Sequence, residues 1–237
     1  MKVAIMYSGG KDSTYAIEHA KNKGWDIRYF VSVKPNRTDC FLFHFATVEN
    51  TVKVAEMLNI PHNLLRCEVA DPVQEASLVK EFIAGKQAEA PINALILGGT
   101  GLQETQIRSL QEAMRPLGVE VFASHAGEEH DLVLNDMIAR NYEIMITQVA
   151  SDGLMPWLGK TLSKENFERF KADSAKFRFH VGGEGGYYDT LILDCPLFTS
   201  RLHINDFHLN REDAYSGHVI IDSMELVPKK VEQEIRN

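Results

Sequence analysis

Apolar and polar positions along the first half of the chain switch repeatedly between two periods. Residues 3–7 (VAIMY) form an unbroken apolar run, residues 12–23 carry apolar positions at helical spacing and stop at Gly24, and residues 27–33 return to β-branched and aromatic types. The alternation continues: residues 45–58 place Val48, Val52, Ala55 and Leu58 on one helical stripe, Pro61 leads into a short strand at 63–67, and residues 72–84 read as a helix before Gly85. Residues 94–97 are a short apolar strand ending in Gly98-Gly99, residues 103–117 a helix, and residues 119–123 a fifth strand. Five strands joined by crossover helices predict an α/β fold, a doubly wound, mostly parallel five-stranded sheet of Rossmann-like type with right-handed connections. Helices on both faces account for strands that are apolar runs and not alternating ones.

The pattern changes in the second half. A helix is predicted over 131–141 and a strand over 144–149, followed by a tryptophan-containing loop, DGLMPWLGK, and a further helix. Strands are predicted at 177–181 and 190–193, flanking GGEGGYYD, with a last strand at 218–226 and a charged, frayed tail from Lys229. This is a smaller α+β part. A soft boundary near residue 125 divides the chain into 1–124 and 125–237, and without a Pro/Ser-rich linker the two parts are expected to pack closely.

Composition narrows the function. With 44% hydrophobic and 24% charged residues in 237, the chain is that of a folded globular protein. It has no apolar run of about 18 residues and no long apolar region after Met1-Lys2, so a soluble, cytoplasmic protein away from membranes is expected. Cys40, Cys67 and Cys195 form no CxxC pair and are expected to be reduced thiols. A net charge of −8 argues against nucleic acid as the direct partner, since a nucleic-acid-holding surface is basic.

The stretch that carries chemistry is SGGKDS, residues 8–13, at the first strand-to-helix turn. Backbone N–H groups at a helix N-terminus converge on an anion, Gly9 and Gly10 allow a tight turn and close approach of phosphate, Ser8 and Ser13 add hydroxyls, and Lys11 adds a mobile charge. Asp12 is out of place beside phosphate unless a divalent cation lies between, which points to magnesium held jointly by protein and nucleotide. A serine- or aspartate-capped turn is the plainer reading of such a string. Neither the GxxxxGK[ST] nor the GxGxxG spacing is present.

Ser8-Gly9-Gly10-Lys11-Asp12-Ser13 resembles the PP-loop of the ATP pyrophosphatases, and the chain is similar more narrowly to the diphthine-ammonia ligases. The resemblance runs through FLFH ending in His44, Gly98, Arg108, DGLMPWLGK and GEGGYYDTLILDCP, nearly the whole chain to about residue 200. It implies an ATP-dependent ligase that adenylates a carboxylate and amidates it with ammonia, releasing AMP and pyrophosphate. The acceptor it implies is diphthine, the modified histidine of translation elongation factor 2. It assigns ATP to Tyr7, Ser8, Gly9, Gly10, Lys11, Asp12, Ser13, His44 and Gly98, magnesium to Asp12, and catalysis to Lys11, Arg108 and Glu184. The acceptor falls to Trp157, Gly183, Glu184, Gly185, Gly186, Tyr188 and Thr190.

Each of these has a plainer reading as well. The glycines around Glu184 suit a wide turn between strands, Trp157 suits the core, His44 a helix cap, and Arg108 a surface salt bridge on its helix. HAGEEH, residues 125–130, has two histidines, but neither HExxH nor HxxEH spacing. The chain departs from the family at Glu104-Thr105, where a tyrosine-glutamine pair is usual, and at Tyr187, where an acidic residue is usual. Asp189 and Lys160 replace glutamate and arginine. Those positions leave the ATP site unchanged. They keep open a relative that amidates another carboxylate, beside a PP-loop enzyme acting on a tRNA base, a nucleotide sensor without chemistry, and a homo-oligomeric assembly.

Overall fold

The structure is a computed structural model, and it describes residues 1–36, 42 and 48–229. Its first half is an all-parallel sheet in the order β3-β2-β1-β4-β5. The strands are β1 (Lys2–Met6), β2 (Asp26–Pro35), β3 (His62–Cys67), β4 (Ala94–Leu97) and β5 (Glu120–Ala123). The crossovers are α1 (Lys11–Asn22), α2 (Thr51–Leu58), α3 (Pro72–Lys86) and α4 (Glu104–Met114). α3 starts where Asp71 accepts a hydrogen bond from the Gln74 amide at 2.9 Å and Pro72 takes the first turn.

Successive residues of each strand point to opposite faces, and both faces are covered. Ala4, Met6, Tyr29, Val31, Leu95, Leu97 and Val121 pack with Ala76, Val79 and Ile83 of α3 and Leu110 and Met114 of α4. On the other face Val3, Ile5, Tyr7, Phe30, Ala94 and Ile96 pack with Ala16, Ile17 and Ala20 of α1. That second core continues without a break into Leu134 and Met137 of α5 (His130–Ala139) and Ile144, Ile146, Leu191 and Ile192 of the second half.

The second half is an antiparallel sheet built on β6 (Glu143–Ala150). β8 (Tyr188–Asp194) lies along one edge of β6, and the other edge is shared by the two-residue β7 (Thr161–Leu162) and the start of β10 (Ser216–Pro228). β9 (Ser200–Arg211) pairs with β10 to complete a long hairpin. No helix among the described residues is long and apolar enough to cross a membrane.

Several elements differ from the sequence reading. Residues 177–181 do not form a strand: Phe177 is the last residue of α6 (Phe167–Phe177), and Arg178 ends the helix in the left-handed region at φ 63°. The FxFxV alternation imitates a strand because Phe179 must be buried; its ring lies 5.3 Å from that of Phe170. β9, by contrast, lacks a clean period, since most of it is exposed, and its pairing with β10 makes it a strand. Of the tail expected to fray from Lys229, Lys229 itself is held, its Nζ donating to Cys195 O at 2.6 Å and pairing with Asp194 at 2.7 Å, while residues 230–237 lie outside the described residues. The helix predicted over 45–58 is seen as a 3-10 turn (Val48–Asn50) and α2; residues 45–47 lie outside the described residues.

Cys67 and Cys195 are free and buried, and Cys40 lies outside the described residues. Burial pushes the Cys195 thiol up to about 11. The stability of its neutral form is whole below the unfolded thiol value of about 8.5 and is lost as the pH rises through about 11. Urea midpoints taken on either side of that window should fall on the alkaline side, and fall less in Cys195→Ala; equal falls would exclude Cys195 as a cause.

Candidate active site

β1 and β4 are neighbours at the point where strand order reverses, and their carboxyl ends form the floor of a cleft, the expected ligand position in a doubly wound sheet. After β1 the chain turns through Gly9, whose φ of 82° favours glycine, and enters α1 at Lys11. Ser8 and Ser13 lock this turn. The Ser8 amide donates to Ser13 Oγ at 3.2 Å, Ser13 Oγ donates to Gly10 O at 3.2 Å, and the two hydroxyls lie 3.1 Å apart.

The second half completes the loop. The Lys11 amide donates to Thr190 Oγ1 at 3.0 Å and the Ile192 amide donates to Gly9 O at 3.0 Å, so β8 is stitched to the turn at both ends. Gly98, at the end of β4, is as close: a Cβ there would fall 2.4 Å from the Asp12 carbonyl carbon and the Ser13 nitrogen.

The cleft holds about 1050 Å³, counting space open to solvent, and has two characters. Met6, Val31, Val33, Leu42, Val48 and Leu97 form an apolar end. The polar end combines Tyr7, Ser8, Gly10, Lys11, Asp12 and Ser13 with Gly98, and with Gly183, Glu184, Gly185, Gly186, Tyr188 and Thr190 from the glycine-rich turn and β8. Gly9 shapes the turn from behind. Those predicted nucleotide and acceptor residues therefore meet in one place.

Charge is concentrated at the polar end. Lys11 is buried, its Nζ 2.6 Å from Asp12 Oδ2 and 5.6 Å above the Tyr188 ring. Asp12 Oδ1 lies 3.3 Å from His130 Nε2, and His130 Nδ1 lies 3.0 Å from Glu184 Oε1, an oxygen that also accepts from Gln103 Nε2 at 2.8 Å. Burial opposes ionisation of Asp12, yet Lys11, with His130, holds its carboxyl well below the usual range. Burial also disfavours a charged His130, but the Asp12 and Glu184 carboxylates outweigh it and raise the imidazole. Tyr188 donates to Val181 O at 2.5 Å, and burial raises its phenol so far that it stays neutral.

Asp12 has one feature that suits a cation. Its Oδ1 is buried and, because the contact with His130 is misaligned, has no well-directed hydrogen-bond partner. A single carboxylate of this kind fits magnesium whose remaining ligands are phosphate oxygens and water. Among the described residues no group of three or more His, Cys, Asp or Glu could hold an ion alone.

Other predicted residues lie elsewhere. Trp157 is in the core, 2% exposed, with its ring edge-on to Phe170 at 5.0 Å and its Nε1 donating to Asp173 at 3.0 Å; it does not line the cleft. Trp157→Phe should therefore cost about 1.5–3 kcal/mol through the lost bond to a carboxylate, lower Tm, and leave the KM for the acceptor unchanged; a raised KM at unchanged Tm would return Trp157 to the site. Arg108 is exposed on α4, outside the residues lining the cleft, as are Glu104 and Thr105 at the start of that helix. Tyr187 is partly buried and its carbonyl accepts from the Ala150 amide at 2.9 Å. His44 lies outside the described residues.

Gln103 and His130 were not legible as site residues in the sequence. HAGEEH marks the histidine, but its two histidines part company: His125 stacks on Tyr15 at 4.5 Å, while His130, at the start of α5, turns toward Glu184. No local spacing signals that contact.

Known proteins resemble this chain over most of its length. The diphthamide synthase N-terminal domain matches residues 1–121 and the diphthamide synthase C-terminal domain residues 129–227. A diphthine–ammonia ligase of Rattus norvegicus is 27% identical over 86% of this chain and 83% of its own length. One of Homo sapiens is 26% identical over 95% and 92% respectively. That of Schizosaccharomyces pombe is 26% identical over 87% of this chain, which spans only 36% of the relative's length.

Proposed function

The chain belongs to the diphthamide synthase family, and from that membership we propose that it is an ATP-dependent ligase joining ammonia to the carboxylate of diphthine. The substrate is a modified protein, read here as translation elongation factor 2, and the products are the amide, AMP and pyrophosphate. A carboxylate oxygen attacks the α-phosphorus and pyrophosphate leaves. Ammonia then attacks the acyl carbon, AMP leaves, and one proton is released. Activation is required because a free carboxylate is a poor electrophile.

The observation that carries this reading is that the phosphate-binding turn and the glycine-rich turn are walls of one cleft, joined through Thr190, so a nucleotide and an acceptor would meet at Lys11. Residues 1–124 supply the nucleotide side and residues 125–237 the acceptor side. The apolar end suits an adenine base, and the N-terminus of α1 with Ser8 and Ser13 suits the phosphates. Lys11 balances charge on the transferring phosphate, an electrostatic role that needs positioning and no covalent step. Magnesium, held by Asp12, would neutralise phosphate charge when bound. Glu184 would orient ammonium or pair with a cationic part of the acceptor. Arg108 is exposed on α4 and outside the residues lining the cleft, so its role toward phosphate charge rests on the resemblance alone. The cytoplasm, where translation factors work, is the expected location.

The test is incubation with ATP, ammonium and diphthine-bearing elongation factor. AMP, pyrophosphate and the amide are expected; ADP in place of AMP would overturn the mechanism. Glu104, Thr105 and Tyr187 support a second reading, in which the same adenylation serves a different carboxylate. It would show as AMP formation with another acceptor and none with diphthine.

A further inference from the structure

We propose that His130 is a positioning residue that ties the acceptor turn to the nucleotide loop; the inference rests on the reading of the cleft given above. Its side chain is 3% exposed. One ring nitrogen faces Glu184 at 3.0 Å, the other faces Asp12 at 3.3 Å, and Thr100 Oγ1 lies 3.3 Å from the first. A rigid ring with polar atoms on opposite edges thus addresses two carboxylates from different halves of the chain.

The turn it addresses is held at its base by His180, whose Nδ1 accepts from the Gly182 and Glu184 amides at 3.2 and 3.4 Å, and the Glu184 side chain is steered by Gln103 and His130. Gly182, Gly183, Gly185 and Gly186 surround Glu184, and glycine leaves backbone torsions free. Like charges on Asp12 and Glu184 would push the turn away from the loop unless a donor stands between them. The ring fills that gap closely. A Cβ on Gly182 would fall 2.1 Å from His130 Cδ2, and the His180 ring closes another side edge-on at 5.6 Å. Gly182 thus lets the ring lie against the turn, and the ring sets where Glu184 stands relative to Lys11 and Asp12.

Steady-state kinetics and hydrogen exchange of His130→Ala and His130→Gln test the proposal. His130→Ala should lower kcat about 100-fold, the scale of a 1 Å misplacement, raise the KM for the acceptor and leave the KM for ATP near its original value. The amides of residues 182–187 should exchange faster in it. His130→Gln, which keeps a donor facing Glu184, should recover much of both. Gly182→Ala, which crowds the ring, should repeat the kcat loss and serves if His130→Ala does not fold. Unchanged exchange in residues 182–187, or equal losses in both His130 variants with weakened ATP binding, would overturn the proposal. The exchange measurement needs no acceptor. It therefore judges His130 even if the unaltered protein forms no AMP with diphthine, a result that would count against the functional reading alone.

Discussion

Lys11→Met should reduce AMP formation by about 10²–10³-fold, the loss associated with removing one preorganised charge donor from a reacting centre. Lys11 is 4% exposed and its ammonium is fixed 2.6 Å from Asp12, so its position is set before any nucleotide arrives. Methionine keeps the stem, and with it the packing beneath Tyr188, while removing the charge. The Asp12 side chain is 24% exposed, so water takes over part of the lost pairing and the fold should survive. Pyrophosphate release, followed beside a thermal melt, separates the two effects. Turnover within threefold of the unaltered protein would remove Lys11 from the mechanism.

Gly98→Ala should be as damaging for a different reason. Its φ does not lie in the left-handed region, so the backbone tolerates alanine; the space does not. The new carbon would stand 2.4 Å from two backbone atoms of the first turn of α1 and 2.6 Å from the Asp12 carbonyl oxygen, none of which can rotate aside. Overpacking of this kind costs about 1–3 kcal/mol, roughly 2–12 °C in Tm for a chain of this length. Moving the loop by 1 Å costs about 100-fold in turnover. Gly85→Ala is the matched control: a Cβ there meets nothing within 4 Å, and its exposed position in α3 should make alanine neutral or stabilising. A Gly98→Ala variant that melts and turns over like the control would refute the close approach.

The first half of the fold was legible because its elements have local causes. Runs such as ALIL must be buried on both sides, and Gly24, Pro61 and Gly85 mark or approach the changes of period. The loop was legible for the same reason, since its chemistry is contained in six consecutive residues. What escaped depends on partners distant in sequence. β9 is a strand through β10, residues 177–181 turn because Phe179 is drawn toward Phe170, and His130 has its place because Glu184 folds back onto it. Trp157 shows the limit of a motif: a family string located the segment, while the bond to Asp173 and packing on Phe170 put its tryptophan in the core.

The stitching of β8 to the loop has a consequence for the chain as it is made. Synthesis runs from the N-terminus, and early segments begin to fold while later ones are still being added. Residues 1–124 include every strand of the parallel sheet, yet the Lys11 amide and the Gly9 carbonyl find their partners only in Thr190 and Ile192. A ribosome-bound chain stopped at residue 124 lacks both contacts. The order of translation thus delays completion of the phosphate-binding turn until the wall that faces it has been delivered.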